Sequence, residues 1–384
     1  MSDRILPEWP LRLIPQRTNN SIDAALEKIF TAFGLCAAVK DFTREDISAR
    51  TMCFIEEGRK RGWEFEALRG PFGFIPHYRM RKDGKLFRFE GLPTADFLRR
   101  ERLALVDDKD YVKRRMAAGG FPVLPSRAFW FFQKEKAVRW GARELGFPLV
   151  VKPRNGTFAR HITTNIRTEE ELRRAISKSV RYSPTFLVEK YLGGASPDAS
   201  DGASVSRVTV VDFEKVFSVR RAKPSVVGDG AHTVAELIST KNSDPVRGNV
   251  EDPEFVVFKV VDDGMTTEVL KEQGFSRNST PSKGAVVYLQ RDPFVRLGAD
   301  LIEETERLHP DNIKLFKDVA RYFDVRLVGL DFLANDTGRS WKEQECAILE
   351  LNSIPCIEVH EYPTEGKPQN VAGAIADMVE KYYK

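Results

Sequence analysis

Two apolar runs near the C-terminal end constrain this chain most: "RLVGLDFLA" and "CAILELN", at 326–334 and 346–352. Both read as strands, and both carry polar side chains where a buried strand is otherwise apolar. In a strand, residues two apart share a face, so Glu350 and Asn352 project together while Leu349 and Leu351 point into packing. A tight antiparallel pairing would set Asp331, from the preceding strand, beside Glu350. Three oxygen-bearing side chains on neighbouring strands suit a hard cation such as Mg²⁺, which takes one or two carboxylates together with substrate phosphates and water. The competing reading is the solvated face of a half-exposed strand, because Glu-x-Asn alone is a weak signal.

Upstream, several further stretches bear on chemistry. "PLVVKP" (148–153) is a short apolar strand with Lys152 inside it, and a buried lysine asks for an anion, phosphate among them. An edge-strand lysine pointing to water is the alternative. "RNGTFARHITT" follows, with Gly156 and Arg160, and could fold over phosphates with its backbone amides. "LVEKYLGG" offers a hinge at Glu189, Lys190 and Leu192, where backbone groups could meet a base edge. The pair Arg220 and Arg221 in "SVRRAKPS" can hold developing negative charge on a transferred phosphoryl group, or can be solvated surface.

The remaining pattern is α+β, with short sheets and helices interleaved over at least three lobes and no internal repeat. Helices are predicted over 21–34, 44–62, 168–180, 232–242, 310–325 and 370–384, and a "KDG" hairpin over 72–91. "GGASPDASDGASVS" (193–206) reads as a mobile loop. A small α+β unit is expected to end near residue 104. The 384 residues leave room for two or three domains. A net charge of +4, from 60 basic and 56 acidic side chains, gives no argument for nucleic acid or a membrane surface. The four cysteines lack CxxC spacing, so neither a zinc knuckle nor a disulfide framework is indicated. With no apolar leader and no membrane-length run, a reduced cytoplasmic protein is expected, and the sequons at Asn155 and Asn278 are then without consequence. Neither GxxxxGK[ST] nor GxGxxG is present, which disfavours those nucleotide folds.

The order lysine, loop, hinge Glu, arginine pair, then Asp and Glu-x-Asn resembles the ATP-grasp superfamily of carboxylate–amine ligases. More narrowly, "VVGDGAHTVAELI", "NSDPVRG", "ILELNSIP" and "VHEYPTEGKPQNVAGAIADMV" resemble the ATP-grasp part of cyanophycin synthetases and of bifunctional glutamate–cysteine ligase/glutathione synthetases. The resemblance covers about 105–384, with a lid lobe at about 147–195 and a family-dependent N-terminal domain over 1–104. It implies two α+β lobes gripping ATP, with Lys109 and Lys152 as phosphate ligands. Glu189, Lys190 and Leu192 would hold adenine and ribose, and Asp331, Glu350 and Asn352 would bind magnesium. Arg220 would steady the phosphates and an acyl phosphate.

The implied cofactors are ATP and Mg²⁺, and the implied partners are amino-acid or peptide substrates, with homo-oligomerisation open. His360 could contact substrate or be structural. Two departures stand out. The loop Thr157–His161 lacks the several glycines of the relatives, and "FVRLGA" (294–299) replaces an Asn-Leu-Ser-x-Gly-Gly stretch, with Phe294 for asparagine. Both motivate a second expectation, an ATP-binding module of the same fold without turnover. Because the chain ends after its last helix, without the Mur-ligase-like half of cyanophycin synthetases, a single-bond ligase is expected rather than a two-site polymerase.

Overall fold

The structure, a computed structural model, describes residues 28–94, 106–154, 161–192, 204–252 and 254–384. The lead-in over 1–20, the first half of the first predicted helix, the boundary at 104/105, the stretch with Gly156 and Arg160, and most of the Gly/Ser-rich stretch lie outside the described residues.

The first sheet runs in chain order, β1 (Ala37–Val39), β2 (Glu64–Gly70), β3 (Gly73–Lys82) and β4 (Lys85–Glu90), each antiparallel to the next. The "KDG" hairpin forms as expected: Asp83 and Gly84 take φ of 49° and 73°, the left-handed pair that a two-residue turn demands. Helix α1 (Ala49–Lys60) lies on this sheet, burying Phe54 among Trp63, Phe65 and Phe89.

Helix α2 (Lys109–Ala118) leads into a second sheet. Asp108 caps it, its side chain accepting from the backbone N–H groups of Asp110 and Tyr111. The sheet contains β5 (Ser126–Trp130), β6 (Leu149–Pro153), β7 (Thr163–Ile166) and β8 (Thr185–Lys190) in the order β5-β8-β6-β7. Helices α3 (Lys134–Trp140) and α4 (Glu169–Ser179) cover the face that presents Phe129, Leu149, Val151, Phe186 and Val188. Its edge strand β5 lies upstream of residue 147.

The third sheet is the platform of the site. Its strands β9 (Ser204–Val211) and β10 (Lys215–Ala222) turn through Asp212 and Phe213, both at positive φ. A long insertion follows, with β11 (Ser225–Val227), α5 (Val234–Asn242), β12 (Arg247–Gly248), β13 (Val257–Phe258), α6 (Gly264–Glu272) and β14 (Val286–Tyr288) around a small core of its own. The chain returns through β15 (Asp300–Glu303), α7 (Pro310–Phe323), β16 (Leu327–Ala334) and β17 (Cys346–Asn352), giving an antiparallel sheet in the order β15-β10-β9-β16-β17. Helix α7 packs Leu315, Phe316 and Val319 on one face, against Val208, Val210, Leu330 and Phe332.

A short helix α8 (Glu358–Glu361) precedes the terminal helix α9 (Val371–Tyr382), which joins the core of the first sheet through Ile375, Met378, Val379 and the following Tyr383. Among the described residues, no helix is long and apolar enough to cross a membrane.

Candidate active site

Strand register decides which side chains share the face of the platform sheet opposite α7. Asp331 pairs with Glu350 on β17 and with Arg207 on β9, and residues facing each other across an antiparallel pair point the same way. Asn352, two residues past Glu350, lies on that face also. Arg221 joins them, because its partner Val205 is two residues from Arg207. A register shift between Asp331 and Phe332 marks a bulge beside the two carboxylates, a common device for aiming a side chain next to a site.

Arginines hold one of these carboxylates and a lysine the other. Arg221 Nη2 donates to Asp331 Oδ2 at 2.8 Å, while Arg207 Nε lies 2.9 Å from Oδ1 without hydrogen-bond alignment. Glu350 Oε2 is 3.2 Å from Lys109 Nζ, brought from α2. Burial pushes the Glu350 carboxyl up, yet Lys109, Arg207 and Lys152 together outweigh it and hold the group at about 2. It is therefore an anion at any neutral pH.

The second sheet faces this platform with a charged patch. Alternation turns Val150, Lys152, Leu187 and Glu189 away from the core that the intervening residues form. Lys152 Nζ is 3.1 Å from Glu189 Oε2, and Lys113 Nζ is 2.5 Å from the same oxygen. All three are almost fully buried. Burial depresses the Lys113 ammonium to about 8 against the pull of Glu189, with Lys152 adding to the depression. Glu189 is lowered, since the two lysines prevail over its burial. Helix α2 therefore spans the cleft, with Lys109 on a platform carboxylate and Lys113, one turn on, on a carboxylate of the second sheet.

The residues before that helix extend the link. Asp107 accepts from Ser353 at both N and Oγ, at 2.9 and 2.7 Å, fixing the chain just past Asn352. Asp108 takes a bidentate pair from Arg154, at 3.0 and 2.7 Å, just past the end of β6.

Other expected site residues lie elsewhere. Arg220 points to the opposite face of the platform from Arg221, where its Nε donates to Glu304 at 2.7 Å. Of the arginine pair, it is Arg221 that contacts the Asp331 carboxylate. The Lys190 ammonium turns away to the carbonyls of Leu145, Gly146 and Phe147, at 3.1–3.3 Å, and its backbone N–H goes to Pro125. Leu192 is half-buried at the last described position before residue 193. His360 is buried, bonded at 2.9 Å to Thr209, and its pKa is lowered chiefly by burial. It therefore sits inside the fold, a structural position. Gly156 and Arg160 lie outside the described residues.

Sequence reasoning missed Lys113, Arg207 and Asp107. Lys113 had a signal, the i,i+4 spacing from Lys109. Arg207 had a weaker one, a lone charge in "VSRVTVV" whose meaning depends on register. Asp107 had none.

The donor set suits magnesium: two carboxylates and a carboxamide present hard oxygens on one face. Asn352 Nδ2 is buried without a hydrogen-bond partner, and Asp331 Oδ1 accepts no aligned hydrogen bond. Among the described residues, no group of three or more His, Cys, Asp and Glu side chains could hold a metal, so any such ligand set needs the amide as its third member.

No protein-family model matches the chain. It is 31% identical over 348 residues to the cyanophycin synthetase of Trichormus variabilis, covering 89% of this chain and 36% of that protein. It is 26% identical over 353 residues to the glutathione biosynthesis bifunctional protein of Clostridium perfringens, covering 87% of this chain and 41% of that one. The chain thus spans well under half the length of these curated relatives. Among solved structures, a bifunctional glutathione synthetase from Pasteurella multocida shares the fold with a TM-score of 0.64 and 22% identity, over 88% of this chain and 44% of that one.

Proposed function

Because this chain belongs to the ATP-grasp superfamily, we propose that it is an ADP-forming ligase that joins an amino-acid or peptide carboxylate to an amine. The observation that carries this reading is the opposed pair of lysine-held carboxylates. Glu350 with Lys109 lies on the platform, and Glu189 with Lys113 and Lys152 on the facing sheet. Such a cleft fixes ammonium groups where triphosphate oxygens would meet them, and keeps Glu350 anionic beside them.

In the proposed reaction a substrate carboxylate oxygen attacks the γ-phosphorus of ATP, and ADP leaves. The amine then attacks the acyl carbon and phosphate departs, giving an amide with loss of one proton. No protein nucleophile takes part, so positioning and charge stabilisation carry the rate. Magnesium, held by Asp331, Glu350 and Asn352, would neutralise charge on the phosphates. Lys109 and Lys152 would bind phosphate oxygens, and Arg221 would steady the Asp331 carboxylate that it already contacts. Arg220, on the far face with Glu304, takes a supporting part behind the sheet. Glu189, with the backbone around Lys190 and Leu192, borders the nucleotide end. We assign the lid to the β5-β8-β6-β7 sheet and the N-terminal unit to residues before about 105.

The test is phosphate release from ATP over a panel of amino acids and dipeptides, with products identified by mass spectrometry. An amide formed in step with phosphate supports the ligase. ATP binding with no phosphate release on any pair would overturn it in favour of a binding module, which the Thr157–His161 and "FVRLGA" departures would then explain.

A further inference from the structure

The sheet of the second lobe ends in a strand with a free side. Its order is β5-β8-β6-β7, so β5 has a neighbouring strand on one side only. Lys190 donates its backbone N–H to Pro125, and Phe131 donates to Pro184. Alternation along the ladder then makes Pro125, Arg127, Phe129 and Phe131 the residues hydrogen-bonded to β8. The residues between them turn their backbone groups off the free edge. Ser126 and Ala128 each offer an N–H and a C=O there. Trp130 offers its C=O alone, because Gln133 Oε1 takes its N–H at 3.0 Å.

Proteins usually blunt such an edge, and this one is guarded by charge but not by polarity. Arg127 is exposed, its guanidinium over the rings of Phe129 and Trp140 at 5.5 and 6.0 Å. Three aromatic side chains in a row then end the strand: Trp130, Phe131 and Phe132 are 50%, 52% and 69% exposed. Phe132 stacks on Trp130 and meets Phe131 edge-on. The bond from Phe131 to Pro184 brings in Tyr182, 57% exposed. Four rings at these exposures present roughly 350–550 Å², the size of a functional surface patch. That is short of the roughly 800 Å² per partner that a stable interface between folded proteins buries.

Charge selects among the smaller occupants. Lys136 and Arg181 are exposed within four residues of the rings, with Arg127 along the edge itself. Glu135, the acid of the same turn, lies 3.5 Å from Arg173. A second copy paired edge to edge across a two-fold axis would bring these bases against their own kind. An acidic chain meets them with the opposite sign.

We propose that the free edge of β5 is a docking strand for an extended acidic peptide, which adds to the sheet through the backbone of Ser126, Ala128 and Trp130 and rests an apolar side chain on the neighbouring rings. This is strand addition, in which main-chain bonds give affinity and alternate side chains give selectivity. Docking needs neither nucleotide nor turnover, so it stands apart from the ligase reading. Where that reading holds, a peptide substrate gains a grip on the lid sheet in addition to the platform.

Fluorescence anisotropy of the full chain with a labelled, end-capped peptide of four Glu-Val repeats tests this, with four Lys-Val repeats as the control of opposite charge. The acidic peptide should bind, and the basic one at least about tenfold more weakly. Added salt should weaken the acidic peptide. Methylating the backbone nitrogen of every Glu, or of every Val, gives two further probes. One should lose binding and the other keep it, because only one alternate set faces β5. Phe131→Ser with Phe132→Ser, both at exposed positions, should weaken the peptide about tenfold. Ala128→Pro removes an edge-facing N–H and should abolish binding. Should that variant fail to fold, Arg127→Glu serves in its place and should narrow or reverse the preference for the acidic peptide.

Absence of binding up to about 1 mM acidic peptide, equal affinity for the acidic and basic peptides, or indifference to both methylation patterns would overturn the proposal. Self-association of the wild type that the double serine variant abolishes would overturn it in favour of a second copy. Binding to phosphatidylglycerol vesicles that the same variant abolishes would overturn it in favour of a membrane surface. A chain that binds the acidic peptide but releases no phosphate from ATP would remove the ligase reading and leave the docking strand standing.

Discussion

Glu350 shows how one side chain ties stability to function. Its folded carboxyl sits at about 2, against an ordinary 4.5. A lowered folded pKa means that the unfolded chain takes up protons first as pH falls. The stabilisation is therefore whole above about 4.5 and is lost between there and about 2. The shift corresponds to something on the order of 3 kcal/mol. Urea unfolding of the wild type should weaken through that window, and Glu350→Gln should flatten this part of the profile. The same substitution should abolish phosphate release at neutral pH, where the fold still forms. If Glu350→Gln turned over at the wild-type rate, Glu350 would have no place at the phosphates. The pairing of Glu350 with Asn352 on one face was legible from alternation alone, and so was a Lys152 in need of an anion. The anion beside it is Glu189, which the sequence offered for a different role. That difference arises from lateral register between β6 and β8, and one-dimensional patterning does not encode register.

At the level of elements, α2 is where the two sheets are joined. Its N-cap Asp108 also holds Arg154, and its first two turns send Lys109 and Lys113 to opposite sides of the cleft. Asp108→Ala removes both the cap and the arginine's partner. A lost cap costs about 1 kcal/mol, and a thermal melt should show at least that loss. Lys113→Ala leaves Glu189 with Lys152 as its partner in a buried setting. Glu189 stays paired, so the loss should fall below the about 3–5 kcal/mol that a buried charge left without a partner costs, measurable by denaturant unfolding. A change under 1 kcal/mol would mean that water enters this cleft freely. Helices α1, α4, α5, α7 and α9 were readable from periodicity, and Thr168, Thr233 and Asn370 each accept from a backbone N–H in the first turn; α3, α6 and α8 were not read. The strands of the insertion between β10 and β15 were not readable either. They are two or three residues long, too short to show a period of two, and they pair across distances that local pattern cannot see.

For the molecule as a whole, the N-terminal sheet does not close its own core. Phe54, Trp63, Phe65 and Phe89 share one apolar cluster with Ile375, Met378, Val379 and Tyr383 from the last helix and its end, and with Leu327 and Phe217 from the platform. Arg61 adds ion pairs to Asp377 at 2.9 Å and Glu380 at 3.0 Å. The sequence could show an amphipathic closing helix but not that its apolar side seals the opposite end of the chain. A shared core should make the two ends unfold together. Ile375 is fully buried there, and truncating such a side chain to alanine costs about 2–5 kcal/mol. Ile375→Ala should therefore lower the midpoint followed by Trp63, which is buried in the same cluster, and the midpoint of nucleotide binding by the same amount. A Trp63 transition that moved alone, with nucleotide binding lost at its wild-type temperature, would show that the N-terminal unit melts independently.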